Sequence, residues 1–271
     1  MGGARFGEQT LQHCLGAVDS ARLEVDPFPH FIATDLLPTD VYAELLSSFP
    51  AHQQYEVFSY NKHRDDSGAA NRFRFRFTMK SMRRLPQPQR QLWLEVCAVL
   101  ASPELKQAVF RKLSPGLELR YGVDASKVSE LSGHAMPELF RETQGYTIKP
   151  HPDTRRKVVT MQLALPGDES QRELGTELYR MSLNPLTWLR APHGFEIVRQ
   201  MPFLPNMAYA FTVLNTFRLR SWHGRSAIPA VAGTRNSILN LWYDDAADID
   251  REILEPANLR ALLKHQTRAA A

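Results

Sequence analysis

Residues 145 to 166, GYTIKPHPDTRRKVVTMQLALP, place His151 and Asp153 two positions apart at the head of an apolar run that ends at Pro166. On an extended segment the side-chain period is two, so this imidazole and this carboxylate point the same way and form half of a chelate. A third protein ligand has to come from a distant part of the chain. His193 follows RAP in a loop-like stretch, whereas His223, in RLRSWHGR, ends a strand-like run and is the better candidate. Two imidazoles and one carboxylate on one side of a metal, with the other side open, suit iron(II), because the open positions can take a chelating cosubstrate and then dioxygen. Zinc fits on ligand type alone. Arg235 tips the choice towards iron. Strand alternation in RNSILNLWY puts Arg235 and Ser237 on one face, and a buried planar fork beside a hydroxyl is what recognition of a carboxylate requires.

Each of these residues also has a plainer use. A His-x-Asp pair arises by chance on exposed loops, and Arg235 could be a structural ion-pair partner. Trp222 and Trp242 read as core or rim aromatics, and His63, His134 and His193 as surface or loop histidines. Tyr146 and Lys149 stand just ahead of the metal pair, where they could reach a substrate, yet a strand tyrosine more often packs.

The elements that must carry these residues are legible from pattern. In DPFPHFIATDLLPTDVYAELLSSFP a short extended piece precedes a helix, with Thr39 as its cap, Tyr42, Leu45, Leu46 and Phe49 on one face, and Pro50 stopping it. RFRFRF, residues 72 to 77, alternates as a strand and is read as half-buried, with a solvated arginine face favoured over an anion-binding wall. Leu92, Val96, Val99 and Leu100 mark one helix; Leu105, Val109 and Leu113 mark a second, opened by Ser102 and Pro103 and ended by Ser114, Pro115 and Gly116. From about residue 145 the chain changes to short β-like runs (GYTIKPH, KVVTMQLALP, LGTELYR, FEIVRQMPFLP, MAYAFTV, SWHG and RNSILNLWY), which point to a sandwich or barrel rather than to parallel βαβ units. The sequence predicts a single α+β domain: a helix-rich layer over 1–120, a β core over 121–245, and a closing helix and tail over 246–271.

With 271 residues, 43% of them hydrophobic, the chain can bury a sizeable core. The net charge of +4 is scattered apart from RFRFRF and TRRK, which suits an acidic small molecule at least as well as a nucleic acid, and no nucleic acid is expected without a denser basic stripe. Cys14 and Cys97 form no disulfide or zinc pattern, and no stretch reads as a leader or membrane span, so a soluble protein of the reducing cytoplasm is expected.

His151, Asp153, His223 and Arg235, in that order and on those strands, resemble the pattern of the iron(II) and 2-oxoglutarate-dependent oxygenases, particularly the prolyl-hydroxylase-like branch. The resemblance runs from about Gly145 to Tyr243. PFPHFIATDLLP is similar to an N-terminal segment of bacterial members, and LGTELY to the glycine-containing strand between the two halves of the metal site. It implies a double-stranded β-helix, or jelly roll, with Fe(II) on His151, Asp153 and His223, and 2-oxoglutarate on the metal with its far carboxylate on Arg235 and Ser237. Dioxygen is the second cosubstrate, and ascorbate is among the cofactors the family uses. Many prolyl hydroxylases carry a tyrosine on the strand after the aspartate; here the inward positions are Thr160, Gln162 and Ala164, leaving Thr160 and Gln162 as candidates for the rest of the cosubstrate pocket. Related halogenases replace the carboxylate with a small residue, so Asp153 implies hydroxylation or another oxidation of a C–H bond. A small metabolite or natural-product intermediate is the substrate expected first, and a prolyl or other protein side chain second. A non-catalytic jelly roll that keeps a metal for structure is the rival from another class, and the oligomeric state is left open.

Overall fold

The structure, a computed structural model, describes residues 3–58, 68–189 and 192–249, with side chains from residue 7 onward. In chain order the elements are α1 (Gly3–Ser20), β1 (Arg22–Glu24), β2 (His30–Ala33), α2 (Thr39–Ser47), β3 (Glu56–Val57), β4 (Arg72–Arg76), α3 (Met79–Met82), α4 (Gln87–Leu100), α5 (Pro103–Lys112), α6 (Ser114–Tyr121), β5 (His134–Glu142), β6 (Ile148–His151), β7 (Lys157–Ala164), β8 (Glu177–Met181), β9 (Phe195–Gln200), β10 (Ala208–Thr212), β11 (His223–Arg225) and β12 (Arg235–Tyr243). The expected helix beyond residue 249 and His63 lie outside the described residues.

The strands make two antiparallel sheets, an eight-stranded one in the order β1-β2-β10-β7-β12-β5-β4-β3 and a four-stranded one in the order β6-β11-β8-β9. Alternation gives the large sheet two unlike faces. One face carries Phe31, Phe75, Leu139, Met161, Leu163, Ala210, Ile238 and Trp242, and the helices cover it with Val18, Val96, Leu100, Leu105 and Phe110 in one buried cluster. The small sheet closes on the opposite face, where Leu178 packs on Tyr209 and Phe211. That face also carries Thr160, Gln162, Ser237, Arg235 and Glu142, all buried. Every β-run read from the second half of the sequence is found as a strand.

Four local expectations are corrected. Thr39 is the first residue of α2 rather than its cap; Pro38 stands at the cap without a side-chain bond, and the Asp40 carboxylate accepts from the Val41 amide in the first turn. Ser114, Pro115 and Gly116 open α6 instead of only ending α5, because proline is well placed in a first turn and Gly116 permits close approach to Thr212, where a Cβ would lie 2.4 Å from Oγ1. The arginine face of β4 is not an open solvated one: Arg72 is buried, and Arg74 and Arg76 are half-buried. Arg72, Arg74 and Arg76 stand opposite Glu142, Phe140 and Glu138 of β5 on the face turned to the small sheet, and they are held by Glu142, Glu138 and Glu56. Lastly, α1 was not foreseen; Thr10, Cys14 and Val18 form its buried stripe. Among the described residues no helix is long and apolar enough to cross a membrane.

Candidate metal centre

β6 and β11 run antiparallel with His151 directly opposite His223, so their rings meet across the ladder at 4.4 Å between centroids. Each Nδ1 lies against a carbonyl two residues back in the chain, His151 at 3.0 Å from Lys149 O and His223 at 2.9 Å from Ser221 O. With Nδ1–H donated to these carbonyls, Nε2 is the nitrogen left to bind a metal. Asp153 lies two residues beyond β6, 6% exposed, and its Oδ2 is 3.8 Å from His223 Nε2. One ligand atom from each of the three residues falls within 4.8 Å of the other two, a spacing that lets one ion reach all three. Two neutral-capable imidazoles and a carboxylate fit iron(II) or another divalent ion of borderline softness.

The electrostatics favour the ligating forms. Burial pulls His223 down to about 4, leaving it neutral at ordinary pH. Burial alone would raise Asp153, but the Lys157 ammonium 2.6 Å from Oδ1, His223, and the Thr160 hydroxyl donating to Oδ2 at 2.7 Å together hold its carboxyl well below the usual range. Phe211 backs the His223 ring at 4.7 Å. The turn after Asp153 is pinned from outside by Arg120 of α6, whose guanidinium donates to the carbonyls of Arg155, Lys157 and Val213.

A second network lies deeper between the sheets. Arg235, 1% exposed, donates through Nε to Leu174 O at 2.8 Å, through Nη1 to Glu142 Oε2 at 2.6 Å and through Nη2 to Gln162 Oε1 at 2.9 Å, with Phe203 stacked beneath it at 3.9 Å. The Gln162 amide donates in turn to the Ser237 hydroxyl at 3.1 Å. β7 links the two networks, since Thr160 and Gln162 are two residues apart on its inward face.

The seven residues singled out from sequence therefore fall into two adjoining groups: His151, Asp153, His223 and Thr160 at the centre, and Gln162, Ser237 and Arg235 in the deeper network. His134 and His193 are surface residues bonded to Ser132 and Trp188 O. Trp242 is core, and Tyr146 is wholly buried in a packed cluster with Phe203 and Ile228. Sequence reasoning missed Lys157, Tyr209, Arg225 and Glu142. Tyr209 of β10 stands opposite Gln162 with its hydroxyl on that of Thr176, so a tyrosine does flank the inward face of β7, but from the neighbouring strand. Arg225 was within reach, two residues past His223 on one strand; Glu142 was not, because β5 itself was unread.

No protein-family model matches the chain, and no curated protein does. Among solved structures the chain is similar to a Pseudomonas putida prolyl-4-hydroxylase, 14% identical over 86% of this chain and 99% of that one, with a TM-score of 0.49. It is also similar to SnoN, a non-heme alpha ketoglutarate dependent epimerase from nogalamycin biosynthesis, at 13% identity over 88% of this chain and 84% of that one and a TM-score of 0.46. A third is AviO1 from Streptomyces viridochromogenes Tue57, at 15% identity over 85% and 95% and a TM-score of 0.45. At these values the reading of function rests on the site residues themselves.

Proposed function

We propose that this chain is an iron(II)- and 2-oxoglutarate-dependent oxygenase that hydroxylates, or otherwise oxidises, an unactivated C–H bond of a small molecule. The observation that carries this reading is the meeting of His151, Asp153 and His223, with both imidazoles aligned by backbone carbonyls and the carboxylate held ionised. In this reading the two sheets are a double-stranded β-helix and the described residues belong to a single domain. His151, Asp153 and His223 hold the metal; Thr160 and Lys157 fix the carboxylate; Phe211 walls the centre from water; and Arg235, Gln162 and Ser237 shape the end of the cavity that takes the cosubstrate's far carboxylate. Bound iron(II) supplies the activation of dioxygen, one oxygen atom going to succinate as 2-oxoglutarate loses carbon dioxide and the other to the substrate. The protein's own contribution is to orient ligands and substrate and to keep the cavity dry.

The exposed Arg155 and Arg156, just after the metal pair, favour an acidic small molecule over a protein side chain, which stands as the second choice. The test is anaerobic addition of iron(II) and 2-oxoglutarate: a weak visible charge-transfer band that needs both is the expected result, and its absence would leave the centre as a structural metal site. A screen of small acids for stimulated succinate release, with Asp153→Ala as the inactive control, would then locate the substrate.

A further inference from the structure

The buried charges of the deeper network do not cancel. Arg72 of β4, Arg225 of β11 and Arg235 of β12 converge on one carboxylate, Glu142 of β5: Arg72 Nε lies 3.2 Å from Oε1, and Arg235 Nη1 and Arg225 Nη2 lie 2.6 and 3.5 Å from Oε2. The two other inward arginines of β4 are matched, since Arg74 and Arg76 share Glu138 and Glu56. Three guanidiniums on one buried carboxylate leave two positive charges without an anion, a costly arrangement unless something negative joins it. Arg72 is partly satisfied by the faces of Phe58, Phe140 and Tyr146, 4.3 to 5.0 Å from its centre. Every nitrogen of Arg235 has an acceptor. Arg225 is 5% exposed and its Nη1 has no hydrogen-bond partner; Arg72 Nε has none either, but it lies 3.2 Å from Glu142 Oε1.

The position of Arg225 says what it could meet. It follows His223 by two residues on β11; the pairing with β6 shifts register between them, but His223 packs on Phe211 and Arg225 reaches Glu142, so both side chains face the large sheet, about 7 Å apart along the strand. The Tyr146 ring lies 4.7 Å from its guanidinium and steadies it, and its Nη2 is anchored by Tyr146 O at 3.4 Å as well as by Glu142. The Ser237 hydroxyl, meanwhile, is already engaged by Gln162. A short dicarboxylate with one end near His223 would bring its other end to the open donor of Arg225.

Resting on the function proposed above, we infer that Arg225 receives the far carboxylate of 2-oxoglutarate together with Arg235, so that the acidic end is clamped between arginines of two sheets. Arg225 is then a specificity-determining residue for the cosubstrate and not only a counter-ion of Glu142.

The test compares 2-oxoglutarate with 2-oxopentanoate, which keeps the chelating keto acid but ends in a methyl group. Calorimetric affinities are measured for both on manganese(II)-loaded wild type, Arg225→Gln and Arg225→Lys, so that no turnover is needed. Wild type should prefer 2-oxoglutarate, and Arg225→Gln should cut that preference roughly tenfold or more, with 2-oxopentanoate binding unchanged. Arg225→Lys, which keeps the charge and loses the fork, should fall between, and it carries the test alone if the glutamine variant fails to fold. A preference untouched in either variant, or equal loss of affinity for both keto acids, would overturn the assignment and leave Arg225 structural. If wild type itself shows no preference, or binds neither acid, the cosubstrate reading falls and this one with it.

Discussion

Asp153 has both carboxylate oxygens occupied, one by Lys157 and the other by Thr160, before any ion is considered. The Thr160 hydroxyl fixes the orientation of the carboxylate that a metal must share, so Thr160→Val is expected to weaken manganese(II) or iron(II) affinity about tenfold or more with the fold unchanged, as titration calorimetry would show. Glu142 supports a different prediction. Burial would raise its carboxyl, but Arg235, Arg225 and Arg72 hold it below its ordinary value. A depressed folded-state pKa contributes stability that is present above the unfolded value of about 4.3 and is lost as pH falls through the folded one. Glu142→Gln should therefore lower stability by about 3–5 kcal/mol near neutrality, since it strands buried guanidiniums, and the gap from wild type should narrow in denaturant titrations below about pH 4. At this scale the sequence disclosed what lies at fixed spacing. His151 and Asp153 share a face by period two, and Arg235 with Ser237 likewise. The meeting of Arg225 with Glu142 joins different sheets and leaves no spacing to read.

Strands place these residues, and the approach of β11 to β6 depends on Gly224. A Cβ there would come 2.5 Å from Ile148 O, a backbone atom that can yield only if the strands part. Gly224→Ala is accordingly expected to shift His223 away from His151 and to cut metal affinity more than it lowers thermal stability, a split that paired calorimetry and melting curves would measure. β7, β10 and β12 were legible because apolar and polar residues alternate along them or run continuously between turns. β5 was hidden by Pro137, which argues against a strand interior. It is tolerated because β4 pairs only with Glu138 to Glu142, so next to Pro137 that flank of β5 is not bonded to β4. α1 escaped notice because its apolar stripe is narrow and interrupted by polar residues and Gly16.

Over the whole molecule the large sheet separates two tasks. Its helix-covered face supplies the core, where Trp242 is fully buried and meets Phe110 edge-on at 6.2 Å; Trp242→Ala should cost about 3–5 kcal/mol in denaturant unfolding while leaving the metal ligands in place. The opposite face supplies the site. The helical layer and the β-rich second half were both foreseen from periodicity, but which face of RFRFRF meets solvent was not, since alternation separates two faces without saying what covers either.

That division gives the chain a strict reading frame. One residue inserted after Ser237 would leave only one part of β12 in register, so that either Arg235 and Ser237 turn under the helices or Ile238 and Trp242 are pushed between the sheets, and a single extra alanine there should abolish folding. The same insertion in the exposed connection between β8 and β9, which holds no register, should pass unnoticed.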